Sequence, residues 1–175
     1  MESVILVDEF DNETGLMEKM EAHEKAMLHR AFSVFIFNKD GDMLLQQRAL
    51  TKYHSGGLWT NACCSHPRSG ETTLHAAIRR LQEEMGFSTA LEKVFDFIYK
   101  AGFDNGLTEY EFDHVFAGTY DGPVQVNEAE VQAYQYRSME NIYADLMVEK
   151  HHYTAWFAIA FPKVYDWWKE NKISA

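Results

Sequence analysis

Trp59-Thr60-Asn61-Ala62-Cys63-Cys64-Ser65-His66-Pro67 places a thiol two residues from an imidazole within a run of turn-forming residues. A thiol can act as nucleophile or proton donor, and an imidazole can bind a metal or move a proton. A second polar cluster, Glu109-Tyr110-Glu111, lies about fifty residues downstream in a strand-like stretch. Brought together by the fold, the two clusters would make a small metal-assisted acid–base site.

Each residue also has a plainer role to set beside this one. A lone cysteine is most often a small buried hydrophobe, but Cys64 has Cys63 beside it and polar surroundings. In an extended segment the two thiols point to opposite sides, so one of them faces a site. Pro67 keeps His66 extended, which aims its ring; the alternative is a surface loop histidine. His23 and His29 are six apart, a spacing that no local rule turns into a ligand pair, so their value rests on tertiary structure. Glu109 and Glu111 share one strand face, with His114 beside or opposite them. A solvated strand face is the common reading of such a pair. Phe112, Val115 and Phe116 instead mark the strand as covered, where carboxylates need cations or hydrogen-bond donors. Arg80 and Glu84, four apart, fit a surface ion pair. Arg48 and Lys52 flank a glycine-bearing loop and serve either as phosphate contacts or as solvated charges. Trp156, among Tyr153, Phe157 and Phe161, is a core aromatic or a ring turned toward a cation.

The elements that must position these groups follow from the local pattern. Val4–Val7 is a short apolar run, and residues 8–15 read as a turn. Ala31–Phe37 (AFSVFIF) predicts a strand, residues 38–42 a turn with Gly41, and Met43–Gln47 a returning strand. Arg48–Gly57 is polar and irregular. Leu74, Ala77, Ile78, Leu81 and Met85 recur at helical spacing, with Gly86 as C-cap and Glu71 placed to favour the helix dipole. Val94–Tyr99 and Glu109–Tyr120 predict strands joined through Asn105-Gly106, and Val131–Tyr136 another. Ser138 caps a helix over Met139–Val148. In the apolar stretch Ala155–Trp168, Pro162 is expected to start or kink a helix. Strand signals around one well-patterned helix predict a mixed α/β domain, residues 1–175, with helices covering a sheet.

Composition bounds the function. The chain has 175 residues, 46% of them hydrophobic, enough to bury a core. The net charge of -11, from 16 basic and 27 acidic residues, argues against general nucleic-acid binding. An anionic substrate remains compatible, because a bound divalent cation inverts the local potential. No run approaches the ~18 apolar residues of a membrane span, the start lacks a signal-peptide pattern, and two adjacent cysteines make no disulfide framework. A cytoplasmic protein with reduced thiols is expected.

The segments TNACCSHP, GETTLHAAIRRLQEEMGF and TEYEFDHVF together resemble type I isopentenyl-diphosphate isomerase of the Nudix-like superfamily, over about Val4 to Trp168. Residues 65–87 have the length of a Nudix signature and keep Glu71, Arg79, Glu83, Glu84 and Gly86. Ser65 stands where the usual box opens with glycine. Arg80 replaces the first glutamate of the hydrolases' metal-binding helix, which weakens a hydrolase reading. The resemblance implies a Nudix-like sandwich of mixed and antiparallel sheets flanked by helices. It implies Cys64 as catalytic thiol, Glu111 as its acid–base partner and Tyr99 as the hydroxyl that orients that carboxylate. His23, His29, His66, Glu109 and Glu111 are then the ligands of one divalent metal, and Glu84 contacts a magnesium carried by the diphosphate. Lys19, Arg48, Lys52 and Arg80 clamp the diphosphate, and Trp156 faces a positively charged intermediate. Tyr53-His54-Ser55-Gly56 lacks the aromatic–proline pair of some relatives, which sets His54 at the mouth of the site.

The implied reaction interconverts isopentenyl and dimethylallyl diphosphate by protonation of the alkene to a tertiary carbocation and loss of a neighbouring proton. It needs an acid, a base and a dry pocket. Magnesium is expected at the diphosphate, with magnesium, manganese or zinc at the histidine-rich site. The partners implied are these small molecules, with neither nucleic acid nor membrane, and the chain is expected to act as a monomer. The enzyme alternative is a Nudix-type diphosphohydrolase acting on a nucleotide or related diphosphate, which would need a fuller carboxylate cluster on the helix and no Cys64.

Overall fold

The computed structural model describes residues 2–171. Strand β3 (His29–Phe37) is the organising element. Its side chains alternate between two cores, as a period of two requires. Phe32, Val34 and Ile36 enter one core, and Phe35 and Phe37 enter the other. Burial on both faces is why this segment reads as a continuous apolar run rather than an alternating one.

One edge of β3 carries β8 (Thr108–Thr119) in parallel along its whole length, from His29 opposite Glu111 to Phe37 opposite Thr119. The other edge pairs with β6 (Cys63–Ser65) at its middle, with β1 (Ser3–Val7) at its start and with β4 (Met43–Arg48) at its end. Antiparallel β7 (Glu92–Gly102) lies outside β8, and β2 (Glu13–Glu18) outside β1. Strand β4 extends the sheet to β5 (Trp59–Thr60) and β9 (Val131–Arg137). Helix α1 (Lys19–Glu24) precedes β3. Helix α2 (Thr73–Met85) covers the first core. Helices α3 (Met139–Val148) and α4 (Ala155–Glu170) cover the second, where Phe157 stacks between Tyr153 and Phe161. This is the expected mixed, largely antiparallel sheet sandwiched by helices.

Four local expectations are corrected. Residues 8–15 are not all turn, since Glu13 and Gly15 pair against β1, with Thr14 at the register shift between them. The turn-forming run around Cys64 contains the strands β5 and β6, whose few residues are too short to show periodicity. Glu71 lies outside the first turn of α2: Thr72 is the N-cap, accepting from His75 N, and Glu71 just before it is engaged by Arg79. Pro162 does not start a helix, because α4 runs through it. Pro162 is exposed, and its ring leaves α4 one backbone N–H donor short. Gly86 does close α2 in the left-handed region, φ 75°, where a Cβ would also run into Gln125 O.

Candidate active site

The cleft lies over the face of the sheet where β6 and β8 flank β3. Register places Cys64 opposite Ser33 on one side, while Glu111 sits opposite His29 on the other. Cys63 turns to the opposite face, into the core against α2, with its Sγ 3.3 Å from Glu84 Oε2. The alternation expected of the two thiols therefore holds. Cys64 Sγ lies 3.1 Å from Asn61 Oδ1 and 3.4 Å from Ser33 Oγ, and burial pushes its pKa well up, helped by the negative charge of Asp113.

Glu109, Glu111 and Asp113 occupy one face of β8 and are all buried, while His114 on the other face meets Asp11 at 2.9 Å. Tyr99, opposite Glu111 on β7, brings its hydroxyl 2.5 Å from Glu111 Oε1 and 3.0 Å from Glu109 Oε2. Burial first, and the two carboxylates next, hold that phenol far from ionisation. Burial also raises Asp113, with Glu111 adding to the effect; the Ser33 hydroxyl donates to its Oδ2 at 2.7 Å.

Histidines converge on these carboxylates from three separate segments. His23 Nδ1 donates to Lys19 O at 2.6 Å, and His29 Nδ1 to Met27 O at 2.8 Å. Those bonds fix the tautomers, so each neutral ring presents a lone pair at Nε2. That lone pair faces Glu109 Oε1 at 3.5 Å from His23 and Glu111 Oε2 at 3.2 Å from His29. His66 Nε2 is 2.8 Å from Glu111 Oε2 and 3.2 Å from His29 Nε2. Acceptors aimed at acceptors need a cation between them, and main-chain carbonyls behind the rings are the usual support of metal-binding histidines. The donor atoms of His23, His29, His66 and Glu111 lie within 4.8 Å of one another, as do those of His23, His54 and Glu109. The residues thus fit a divalent cation. Without one, protons take its place. Burial opposes a charged His23, but Glu109 outweighs it and holds that pKa above the ordinary value. Burial wins at His66, whose pKa is lowered. Burial would raise Glu109, yet hydrogen bonds from His23 and His54 hold it well below the usual carboxylate range.

Cations ring the mouth. Arg80 Nη2 is 2.9 Å from Glu84 Oε2, Lys52 Nζ 2.5 Å from Glu130 Oε2, and Lys19 Nζ 3.3 Å from Glu2 Oε2. The Arg80–Glu84 pair is not a solvated surface pair, since Glu84 is buried and also accepts from Gln46 Nε2. Arg48 lies over the Trp156 ring, 5.1 Å from its centroid, so this ring already faces a cation. The cleft encloses about 100 Å³ and is lined by Cys64, His66, Glu84, Tyr99, Glu109, Glu111 and Trp156 together with the four basic residues. His23 and His29 sit behind it, fully buried. A larger groove of about 520 Å³, between Lys39, Leu91 and Trp167, is lined by neither histidine nor cysteine.

The sequence reading assigned no role to Glu2, Glu130, Asn61, Ser33 or Asp113. The i+2 repeat Glu109, Glu111, Asp113 was a legible signal for the last of these; the others carry none. His54, expected at the mouth, reaches further in. Its Nε2 donates to Glu109 Oε1 at 2.9 Å, while its ring stacks on Phe103.

Residues 27–157 match the NUDIX domain family, so fold and sequence define the class. Among solved structures, a Deinococcus radiodurans protein superposes with a TM-score of 0.79 at 18% identity, covering 94% of this chain and 99% of that one. A MutT protein from Methanosarcina mazei gives 0.66 at 20%, covering 83% and 96%. At such identities the likeness speaks for the fold alone. Sequence relatives are much nearer. The isopentenyl-diphosphate Delta-isomerase of Pectobacterium atrosepticum is 52% identical over 97% of this chain and 94% of its own. The enzyme of the same name from Serratia proteamaculans is 48% identical over 89% and 87%. The chain belongs to the isopentenyl-diphosphate Delta-isomerase family of NUDIX-fold enzymes.

Proposed function

We propose that this cleft interconverts isopentenyl diphosphate and dimethylallyl diphosphate, with Cys64 and Glu111 exchanging protons with the substrate. The observation that carries the reading is the placement of a thiol and a carboxylate on strands flanking β3, facing one small cleft. Alkene protonation needs an acid and a base on distinct sides of a bound carbon skeleton. Tyr99, bonded to both carboxylates, orients Glu111 and provides a path for its proton.

His23, His29, His66, Glu109 and Glu111 would hold one divalent ion, magnesium, manganese or zinc. Bound there, the cation draws electron density from Glu111 and makes its protonated form a stronger acid. Glu84 would contact a magnesium carried by the diphosphate. Lys19, Arg48, Lys52 and Arg80 would receive the diphosphate by leaving their present carboxylate partners, or the Trp156 face in the case of Arg48. That exchange turns Trp156 from a protein cation to the carbocation, an attraction worth ~2 kcal/mol when desolvated. The diphosphate is a handle, and its remote binding energy orients the alkene. One chain supplies every group invoked, so we take the working unit as a monomer, and a free Cys64 thiol suits a reducing cytoplasm.

The test is proton NMR of the metal-loaded protein with isopentenyl diphosphate in deuterated buffer. Dimethylallyl diphosphate carrying deuterium, with no phosphate or pyrophosphate released, is the expected result. Phosphate or pyrophosphate release without isomer would replace this reading with a diphosphohydrolase.

A further inference from the structure

Asn61 is fully buried in the two-residue link between β5 and β6, and every hydrogen-bonding position of its amide is used. Nδ2 donates to Val34 O at 2.9 Å and to Cys63 O at 3.0 Å. The two carbonyls settle the orientation of the amide, because a flipped Oδ1 would oppose both of them. Oδ1 must therefore point the other way. There it accepts from Thr60 Oγ1 at 2.9 Å and from Cys64 Sγ at 3.1 Å. A carbonyl oxygen receives an S–H and repels a thiolate, and at 3.1 Å it is a nearer acceptor than Ser33 Oγ at 3.4 Å, so this contact draws the thiol proton toward Asn61.

The chain continues. Thr60 Oγ1 accepts from Thr154 Oγ1 at 3.0 Å, and Thr154 is the N-cap of α4, accepting from Phe157 N at 3.3 Å. Thr154 N donates to Trp59 O at 2.9 Å. Trp156 stands two residues beyond the cap. Thr60 and Thr154 are as buried as Asn61, at 2% and 0% exposure, so no water substitutes for a missing partner. Buried, fully paired networks of this kind hold their members rigidly.

We infer that Asn61, through Thr60 and Thr154, is a positioning residue that sets the Cys64 thiol and the Trp156-bearing end of α4 in one hydrogen-bonded frame. The inference rests on the proposed roles of Cys64 and Trp156, and adds what holds them in mutual register. Both groups act on the same carbon skeleton, Cys64 on its protons and Trp156 on its charge. The frame removes the need to order them separately when substrate binds.

The first variant is Thr60→Val, which exchanges one hydroxyl for a methyl and leaves the Asn61 bonds to Val34 and Cys63 in place. It orphans the Thr154 hydroxyl and loosens the start of α4. Its kcat should fall about tenfold, because sub-ångström misplacement of reacting groups costs that much, while KM and metal content stay unchanged. Thr60→Ser should restore kcat, and amide exchange at Phe157 should quicken in Thr60→Val alone. Asn61→Ala is the second variant. The S–H stretching band of Cys64, assigned by subtracting the Cys64→Ala spectrum, should move to higher frequency as its acceptor is lost. Thr60→Val with undiminished kcat, a Thr60→Ser protein as slow as Thr60→Val, or an unmoved S–H band in Asn61→Ala would each overturn the inference. A starting protein that does not isomerise at all would instead remove the proposed function beneath it.

Discussion

Replacing Glu71 by glutamine removes a charge that the fold uses and leaves the volume unchanged. Arg79 grips Glu71 with two bonds, Nε to Oε2 at 2.8 Å and Nη2 to Oε1 at 2.9 Å, and Arg68 N donates to Oε1 at 2.9 Å. Those bonds tie the loop after His66 to the helix that carries Arg80 and Glu84. Chiefly through Arg79, they lower the carboxyl pKa from 4.5 to about 2. A carboxyl depressed in the fold contributes fully above its unfolded value, and the contribution is lost as pH falls from 4.5 toward 2. A depression of this size is worth at most ~3 kcal/mol. The side chains are 18% and 22% exposed, and solvent screening brings the net value to ~1–2 kcal/mol. Glu71→Gln should therefore lower the melting midpoint by about 2–4 °C per kcal/mol at pH 7. The gap between the two proteins should narrow steadily below pH 4.5. Thermal denaturation of both chelator-treated proteins at pH 7, 5 and 3.5 reads this difference directly, since groups common to both cancel. Equal gaps at pH 7 and 3.5 would refute the ionic reasoning, and no gap at pH 7 would refute the pair's contribution altogether.

Cys64→Ala should abolish deuterium incorporation while metal content, measured by mass spectrometry, stays intact; Cys63→Ala, on the core face, should keep most of the turnover at a cost of ~1 kcal/mol in stability. Glu109→Gln should weaken metal binding in calorimetric titration, and unchanged affinity would remove Glu109 from the ligand set. Metal binding should release protons at pH values below the raised pKa of His23, which Glu109 holds above the ordinary histidine value. Its affinity should then fall as pH drops through that raised value; titrations in buffers of different ionisation enthalpy count the protons, and a count of zero would contradict the charge on His23. Phe157→Ala, at a fully buried ring stacked on three neighbours, should destabilise the fold by ~3–5 kcal/mol in urea denaturation.

What the sequence determined by itself is what short-range geometry encodes. The apolar run of β3, the spacing on α2, the Ser138 cap and the Gly86 stop were readable because period, cap and left-handed turn are local properties. The shared face of Glu109 and Glu111 and the opposed thiols of Cys63 and Cys64 follow from the same alternation. Strands β2, β5 and β6 were hidden, being too short or too polar to show a period, and Pro162 misled because its exposed position in α4 was a tertiary fact. Tertiary structure alone decided which groups meet. The parallel register of β3 on β8 brings His29 to Glu111, and no turn between those strands encodes it. His23 arrives on a helix and His54 on a loop, at separations in sequence that carry no pattern. Burial of the carboxylates, which creates the demand for a cation, likewise follows from what is packed above them. Alternation within a strand told which way each side chain points, and long-range pairing told what it points at.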